Sequence, residues 1–280
     1  MAGGPDPSAG GRNGARPSRT TVVLGGHEFS RRRGNEALRD YVLGLATVEH
    51  PRICLLPTAS GDAEAQIQGF RQSLGGLPCR VSDLSLFRLE GERLALREHL
   101  LRQDIIYVGG GSMNNLLAIW RAHGIDRILR EAWEAGTILC GQSAGAMCWF
   151  EWGISRSSGA AQPMRGLGFL PGSLSVHYHR DADRRRVFHQ AVALVIPAGY
   201  GLDDGTGLLF RDDELAEVVS ARPGSGAWRV QSAGGGAWKE TALRARQLAD
   251  PRPAIDEQDG AVSELRRTLA SRAGGGLTAR

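Results

Sequence analysis

From Thr20 onward, short apolar runs alternate with longer stretches of helical spacing. Residues 21–24, 53–56, 80–86 and 104–108 read as strands, and 36–45, 63–74 and 94–102 as the helices between them. Residues 113–122 put Met113, Leu116, Leu117 and Trp120 on one face of a helix, and a second helix at 125–135 leads into a buried strand at 137–140. Strands that alternate with helices pair in parallel, with crossover helices on both faces. The expected fold is therefore α/β, a three-layer sandwich around a mostly parallel central sheet.

Beyond that strand the pattern predicts a helix over 144–152, a looser stretch up to Ser175, and helix again around 184–194. Residues 200–230 read as three or four short strands, among them 208–211, 216–220 and 227–230, forming an antiparallel extension of the sheet. Residues 1–19 are rich in Gly, Pro, Ser and Arg, too poor in apolar surface to order themselves. Past Gln231 come Gly-Gly-Gly, Pro251-Arg252-Pro253 and one weak amphipathic stretch at 262–269. The expected organisation is a disordered segment 1–19, one α/β domain over 20–231 and a flexible tail over 232–280 with one helix.

The most informative stretch is Cys140-Gly141-Gln142-Ser143-Ala144-Gly145-Ala146, a serine between two glycines at a strand-to-helix junction. This is a nucleophile elbow: the turn pushes the serine out of the sheet, and side chains at the flanking positions would collide with neighbouring backbone. The turn also aims the first N–H groups of the next helix at the reaction centre.

Composition narrows the alternatives. A 280-residue chain with 41% hydrophobic and 23% charged residues is ordinary for a globular protein. The net charge of +4 resides in the two ends, with Arg12, Arg16 and Arg19 against Asp6 at one and a small basic surplus past Gln231 at the other. A near-neutral body argues against a nucleic-acid partner, which would require a basic face. Cys54, Cys79, Cys140 and Cys148 show no zinc-like spacing and read as reduced, buried thiols, so Cys148 is a weak rival to Ser143. No apolar run has the length of a signal-peptide core or a membrane span, which gives a cytoplasmic expectation with no membrane partner. The chemistry calls for no metal and no organic cofactor.

A serine hydroxyl needs a base, and the base needs a group that fixes its tautomer. Of the seven histidines, His27, His50, His99, His123 and His189 lie in or beside expected surface segments. His177 and His179 instead follow a turn and an apolar segment on the C-terminal side of the elbow, where an open α/β sheet carries its catalytic loops. Gly201-Leu202-Asp203-Asp204-Gly205 supplies two adjacent carboxylates, which point in opposite directions if the segment is extended. Val108-Gly109-Gly110-Gly111-Ser112 lacks the Lys-Ser/Thr ending of a P-loop and fits better as backbone donors for an oxyanion.

The glycine triplet at 109–111, Gly-Gln-Ser-Ala-Gly-Ala at 141–146, Leu-Pro-Gly-Ser-Leu-Ser-Val-His-Tyr at 170–178 and Asp-Asp-Gly at 203–205 resemble the peptidase E (aspartyl dipeptidase) family of serine peptidases over about residues 20–230. The resemblance implies a class I glutamine amidotransferase-like architecture and a serine peptidase of short peptides, including dipeptides with N-terminal Asp. Cyanophycinases are relatives, so an amide hydrolase on another substrate and a non-catalytic binding protein are the rival readings. Position by position it implies Ser143 as nucleophile, His177 as base, Asp204 as acid, and the N–H groups of Gly111 and Ala144 as the oxyanion hole. Ser112 borders the substrate site, Glu151 is a candidate for a substrate ammonium, and Arg156, Arg165 and Arg180 are candidates for an aspartyl carboxylate. The chain departs from the family at Ser112-Met113, at Val176 and His179 around the histidine, and in using Asp204 where peptidase E has Glu. The expected partner is a small peptide substrate, with a homodimer as the candidate assembly.

Overall fold

The computed structural model describes residues 18–26, 36–88 and 93–248. All but the last two residues of the 1–19 segment, and the helix expected at 262–269, lie outside them.

The first half of the chain builds a parallel sheet. Strands β1 (Thr20–Leu24), β2 (Arg52–Leu56), β3 (Arg80–Asp83), β4 (Ile105–Val108) and β5 (Ile138–Gln142) run in the spatial order β3-β2-β4-β5-β1, every neighbouring pair parallel. All residues of β1 and β4 are buried, the near-continuous apolar pattern of strands covered on both faces. The crossovers carry α1 (Glu36–Leu43), α2 (Glu64–Leu74), α3 (Arg93–Leu101), α4 (Met113–His123) and α5 (Ile125–Glu134). Gly124 ends α4 in the left-handed region (φ 67°) and starts α5 at once, so the two helices pack as a pair.

Alternate residues of each strand feed two cores. Val22, Leu24, Ile53, Leu55, Ile105 and Tyr107 face α1 and α2, where the Phe70 and Tyr107 rings stack 5.5 Å apart. Val23, Cys54, Leu56, Ile106, Val108 and Leu139 face α3, α4 and α5, joined by the fully buried Trp120, Trp133 and Trp149.

The second half departs from the expectation. The helix after Ser143 is the single turn α6 (Ala144–Met147), and residues 150–152, expected to continue it, enter a strand, β6 (Phe150–Ser155). A short run of small apolar residues suits a buried helix and a buried strand equally. Here tertiary pairing decides: Leu167 N–H bonds to Cys148 O (2.8 Å) and Gly168 N–H to Phe150 O (3.1 Å). The stretch expected to be loose up to Ser175 contains β7 (Gln162–Arg165) and most of β8 (Leu170–Val176). Helix α7 (Ala182–Leu194) is capped by Asp181, which accepts from Arg184 N–H.

The strands of 200–230 divide between two sheets instead of extending one. β10 (Thr206–Arg211) and β11 (Glu214–Ser220) add antiparallel to β1, and β9 (Gly199–Leu202) and β12 (Ala227–Gly234) join β6, β7 and β8 in a second, six-stranded sheet. The boundary expected at 231 falls inside β12. Gly234, Gly235 and Gly236 all have positive φ (83°, 58° and 80°) and form the turn into β13 (Ala237–Leu243), so the triplet is a hairpin, not a linker. β14 (Arg246–Gln247) then closes the edge of the first sheet beside β11. The inner face of the second sheet joins the core that contains α3, α4 and α5, and its other face packs on α7 through Tyr178, Phe188, Val192 and Val230.

Candidate active site

Ser143 leaves the C-terminal end of β5 with φ 52° and ψ −115°, a conformation disfavoured for any residue with a Cβ. A Cβ on Gly141 would lie 2.1 Å from Gly145 O, and one on Gly145 2.4 Å from Val108 O. The two glycines therefore let α6 press onto β5 and β4, the collision argument made from sequence. Ser143 N–H bonds back to Leu24 O (3.2 Å) while its carbonyl accepts from Ala146 and Met147 (3.0 and 2.9 Å), which fixes both sides of the turn.

His177 follows β8, also at positive φ (55°), and its Nε2 stands 3.1 Å from Ser143 Oγ. Its Nδ1 meets Asp204 Oδ1, and Asp204 Oδ2 accepts from Arg180 Nη1 at 3.1 Å. The adjacent Asp203 turns the other way: it takes His179 through its backbone N–H (3.0 Å) and Nδ1 (3.1 Å), and Gly226 N–H at 3.2 Å. The structure thus separates two carboxylate–histidine pairs, Asp204 with His177 at the serine and Asp203 with His179 beside it.

The glycine loop passes next to the serine: a Cβ on Gly110 would lie 3.2 Å from Ser143 Cβ. Gln66 holds the loop by donating to Gly110 O (3.2 Å), and Gly111 adopts φ 148° where a Cβ would sit 2.1 Å from Ala59 O. Ala144, the first residue of α6, directly follows Ser143, and Gly111 directly follows the Gly110 that abuts it.

The substrate candidates fare unevenly. Ser112 borders the loop, but its hydroxyl caps α4 by accepting from Asn115 N–H (3.3 Å). Glu151 lies on β6 instead of the end of the elbow helix, and its carboxylate accepts Gly172 N–H (3.0 Å) at the start of β8. Arg165, at the end of β7, covers the ring of Trp152 on β6. Arg156 is gripped by Asp181 (2.8 Å twice) and Asp183 (2.9 Å), and its hold on Asp181, helped by the Arg184 N–H bond and opposed by burial, keeps that carboxyl well below the usual range. Arg180 pairs with Asp204 through Nη1, yet its side chain stays 69% exposed. Arg156, His177, Arg180, Asp181 and Ala182 line a cleft of about 510 Å³. Another cleft, about 450 Å³, is lined by Thr20, Arg52, Asp104 and Thr137 at the opposite, N-terminal ends of the strands.

Cys148 is fully buried, donates to Gly145 O (3.2 Å) and has its thiol pushed well above the ordinary value by burial, so it is no nucleophile. Among the described residues no three His, Cys, Asp or Glu side chains converge as metal ligands, and no helix is long and apolar enough to cross a membrane. His27 lies outside the described residues.

Sequence reasoning missed two features. Gly25-Gly26, directly after β1, is a tight seat for the site: a Cβ on Gly26 would lie 2.5 Å from His177 Cε1 and 2.8 Å from Asp204 Oδ1. A glycine pair at the C-terminal end of the first strand was the available signal. His189, expected near the surface, is buried on α7 against Tyr178 and Glu240.

Comparison with known proteins gives the family. The uncharacterized peptidase YgaJ of Bacillus subtilis (strain 168) is 44% identical over 213 residues, 76% of this chain and 92% of that protein. A cyanophycinase of Synechococcus elongatus is 28% identical over 178 residues, 60% of this chain and 55% of that protein. The crystal structure of a peptidase from an acI-B1 Actinobacterium superposes with a TM-score of 0.61 at 19% identity, covering 83% of this chain and 97% of that one. The model of peptidase family S51 matches residues 21–218, most of the chain, so this protein belongs to peptidase family S51 and is a serine-type peptidase.

Proposed function

We propose that the protein hydrolyses short peptides through an acyl-enzyme, with Ser143 as nucleophile, His177 as general base and Asp204 as its orienting acid. The observation that carries the reading is the relay itself: Ser143 Oγ stands 3.1 Å from His177 Nε2 while Nδ1 meets Asp204. Asp204 keeps the Nδ1–H tautomer, which leaves Nε2 free to take the serine proton as Oγ attacks the carbonyl carbon. The N–H groups of Gly111 and Ala144 stabilise the oxyanion. As the C–N bond breaks, His177 returns the proton to the leaving amine, and water then cleaves the ester by the same base.

For the substrate, we favour dipeptides with N-terminal Asp. Arg180, beside the cleft, bonds Asp204 through Nη1 but keeps its side chain mostly exposed, which leaves guanidinium donors suited to the aspartyl carboxylate. Similarity to a cyanophycinase supports a second reading, amide hydrolysis on another substrate. A panel of dipeptides with and without N-terminal Asp, run with wild type and Ser143→Ala, tests both. Aspartyl-selective cleavage lost in the variant is expected. Full activity in Ser143→Ala would refute the nucleophile, and absence of aspartyl preference would favour the second reading.

A further inference from the structure

The residue after the proposed base, Tyr178, is fully buried although His177 opens onto the cleft. Its ring stacks on Trp228 (5.6 Å), meets Phe188 edge-on (6.1 Å) and lies against β9 at Gly201, where a Cβ would come within 2.5 Å of the ring. Its backbone N–H bonds to Leu202 O (3.2 Å), immediately before Asp203-Asp204. Tyr178 therefore grips both the turn that carries His177 and the strand that delivers Asp204.

The hydroxyl of Tyr178 ends on Glu240 of β13. Glu240 also accepts from Arg185 (2.5 Å) and stands 2.9 Å from His189 Nε2, which is itself 2.6 Å from the Tyr178 oxygen. The Arg185 guanidinium lies over the tyrosine ring (5.0 Å), and Trp238 stacks on His189 (3.7 Å). Burial alone would raise the Glu240 carboxyl, yet the donors from Tyr178, Arg185 and His189 hold it below its ordinary value, as an ionised acceptor. Residue 240 lies beyond the 21–218 span that the family model matches.

We propose that Glu240 is a positioning residue for catalysis: by holding the Tyr178 hydroxyl, the β12–β13 hairpin locks the left-handed backbone of His177 in register with Ser143. A non-glycine residue at φ 55° persists only where its surroundings over-determine it, and Val176 in β8 on one side and Tyr178 on the other are its covalent neighbours. Both neighbours are anchored from outside the β8–β9 pair: Arg184 of α7 donates to the Val176 carbonyl (3.2 Å), and Glu240 of β13 holds the Tyr178 hydroxyl.

This inference rests on Ser143 and His177 acting as proposed, so the experiment reads both. Wild type, Glu240→Ala, Glu240→Gln and Tyr178→Phe are compared for kcat, KM, thermal midpoint and the rate of fluorophosphonate labelling at Ser143. Loss of the latch should lower kcat and the labelling rate of Glu240→Ala and Tyr178→Phe about tenfold or more, in folded protein with KM near wild type. Glu240→Gln, which keeps an acceptor for the tyrosine, should fall between. A folded Glu240→Ala or Tyr178→Phe with wild-type kcat and labelling overturns the inference; if Glu240→Ala does not fold, Tyr178→Phe decides. Failure of the wild type to label at Ser143 would instead overturn the underlying assignment of the nucleophile.

Discussion

His177 and Asp204 approach closely a residue with no side chain, and Gly26→Ala tests whether that closeness matters. The added Cβ would lie 2.5 Å from His177 Cε1, 3.0 Å from Nδ1 and 2.8 Å from Asp204 Oδ1. Non-bonded carbons settle at about 3.5–4.0 Å, so the imidazole or the end of β1 must retreat by about 1 Å. A catalytic group misplaced by about 1 Å costs about 100-fold in rate, equivalent to about 2.7 kcal/mol of transition-state stabilisation. The clash is with a ring and a carboxylate that can swing, so the cost in folding is the ordinary one for overpacking, about 1–3 kcal/mol. Gly25→Ala differs, because its Cβ would sit 1.9 Å from the Asp203 carbonyl, where backbone has to move. The assay is kcat and KM on an aspartyl dipeptide, with circular dichroism and a thermal melt to establish the fold. The expected result for Gly26→Ala is a folded protein with kcat down about 100-fold and KM little changed. A folded variant with wild-type kcat would refute the claim that the base is seated against this glycine.

Asp204→Asn should leave the fold intact and lower kcat by about 10³–10⁴-fold, because an amide stabilises the wrong histidine tautomer; Asp203→Asn, which disturbs His179 and Gly226, should act on stability more than on kcat, and a larger kcat loss there would reverse the assignment. Arg156 and the α7 cap depress the Asp181 pKa in the folded chain, so the carboxylate stabilises the fold above its unfolded pKa of about 3.9 and loses that contribution as pH falls towards the folded value. Thermal melts of wild type and Asp181→Asn should therefore differ most near neutrality and converge below about pH 4; a gap that widens on acidification would contradict the sign. Cys148→Ala should keep kcat close to wild type, and a thiol reagent should leave the native enzyme active, since the buried thiol reacts only on unfolding.

The parts of this fold that were legible in the sequence are those where one residue type has one physical use. Four of the five parallel strands, β1, β2, β4 and β5, are short apolar runs because both faces of such a sheet are covered, whereas β3, Arg-Val-Ser-Asp, lies at the edge and is half-buried. Gly141 and Gly145 announced the elbow because nothing larger fits there. The second sheet was illegible for the converse reason. β8 opens with Leu170-Pro171-Gly172, which reads as a turn, yet Pro171 is exposed near the start of the strand, where a missing N–H is tolerated. The 144–152 run was ambiguous between helix and strand, and only contacts from residues 166–170 resolved it. The choice between Asp203 and Asp204 depended on which way a two-residue alternation faced, a matter of register and not of composition.

What ties the legible and illegible parts together is where the strain lies. Among the described residues four non-glycine positions have positive φ: Asp62, Ser143, His177 and Asp212. Asp212 lies between β10 and β11, where a short polar side chain tolerates the left-handed region. Ser143 and His177 have no such excuse, since each would be less strained as glycine, yet glycine would remove the hydroxyl or the imidazole. The surrounding sequence yields instead, with Gly26 and Gly110 making room for the two side chains, Gly145 for the backbone of β4, and Gly201 for the anchor beside His177. Local preference is thus broken at the two residues of the proposed relay, and steric freedom is placed at the residues that face them. That distribution is hard to account for in a scaffold that kept its shape but lost its reaction, because a purely structural elbow would gain stability by relaxing both positions.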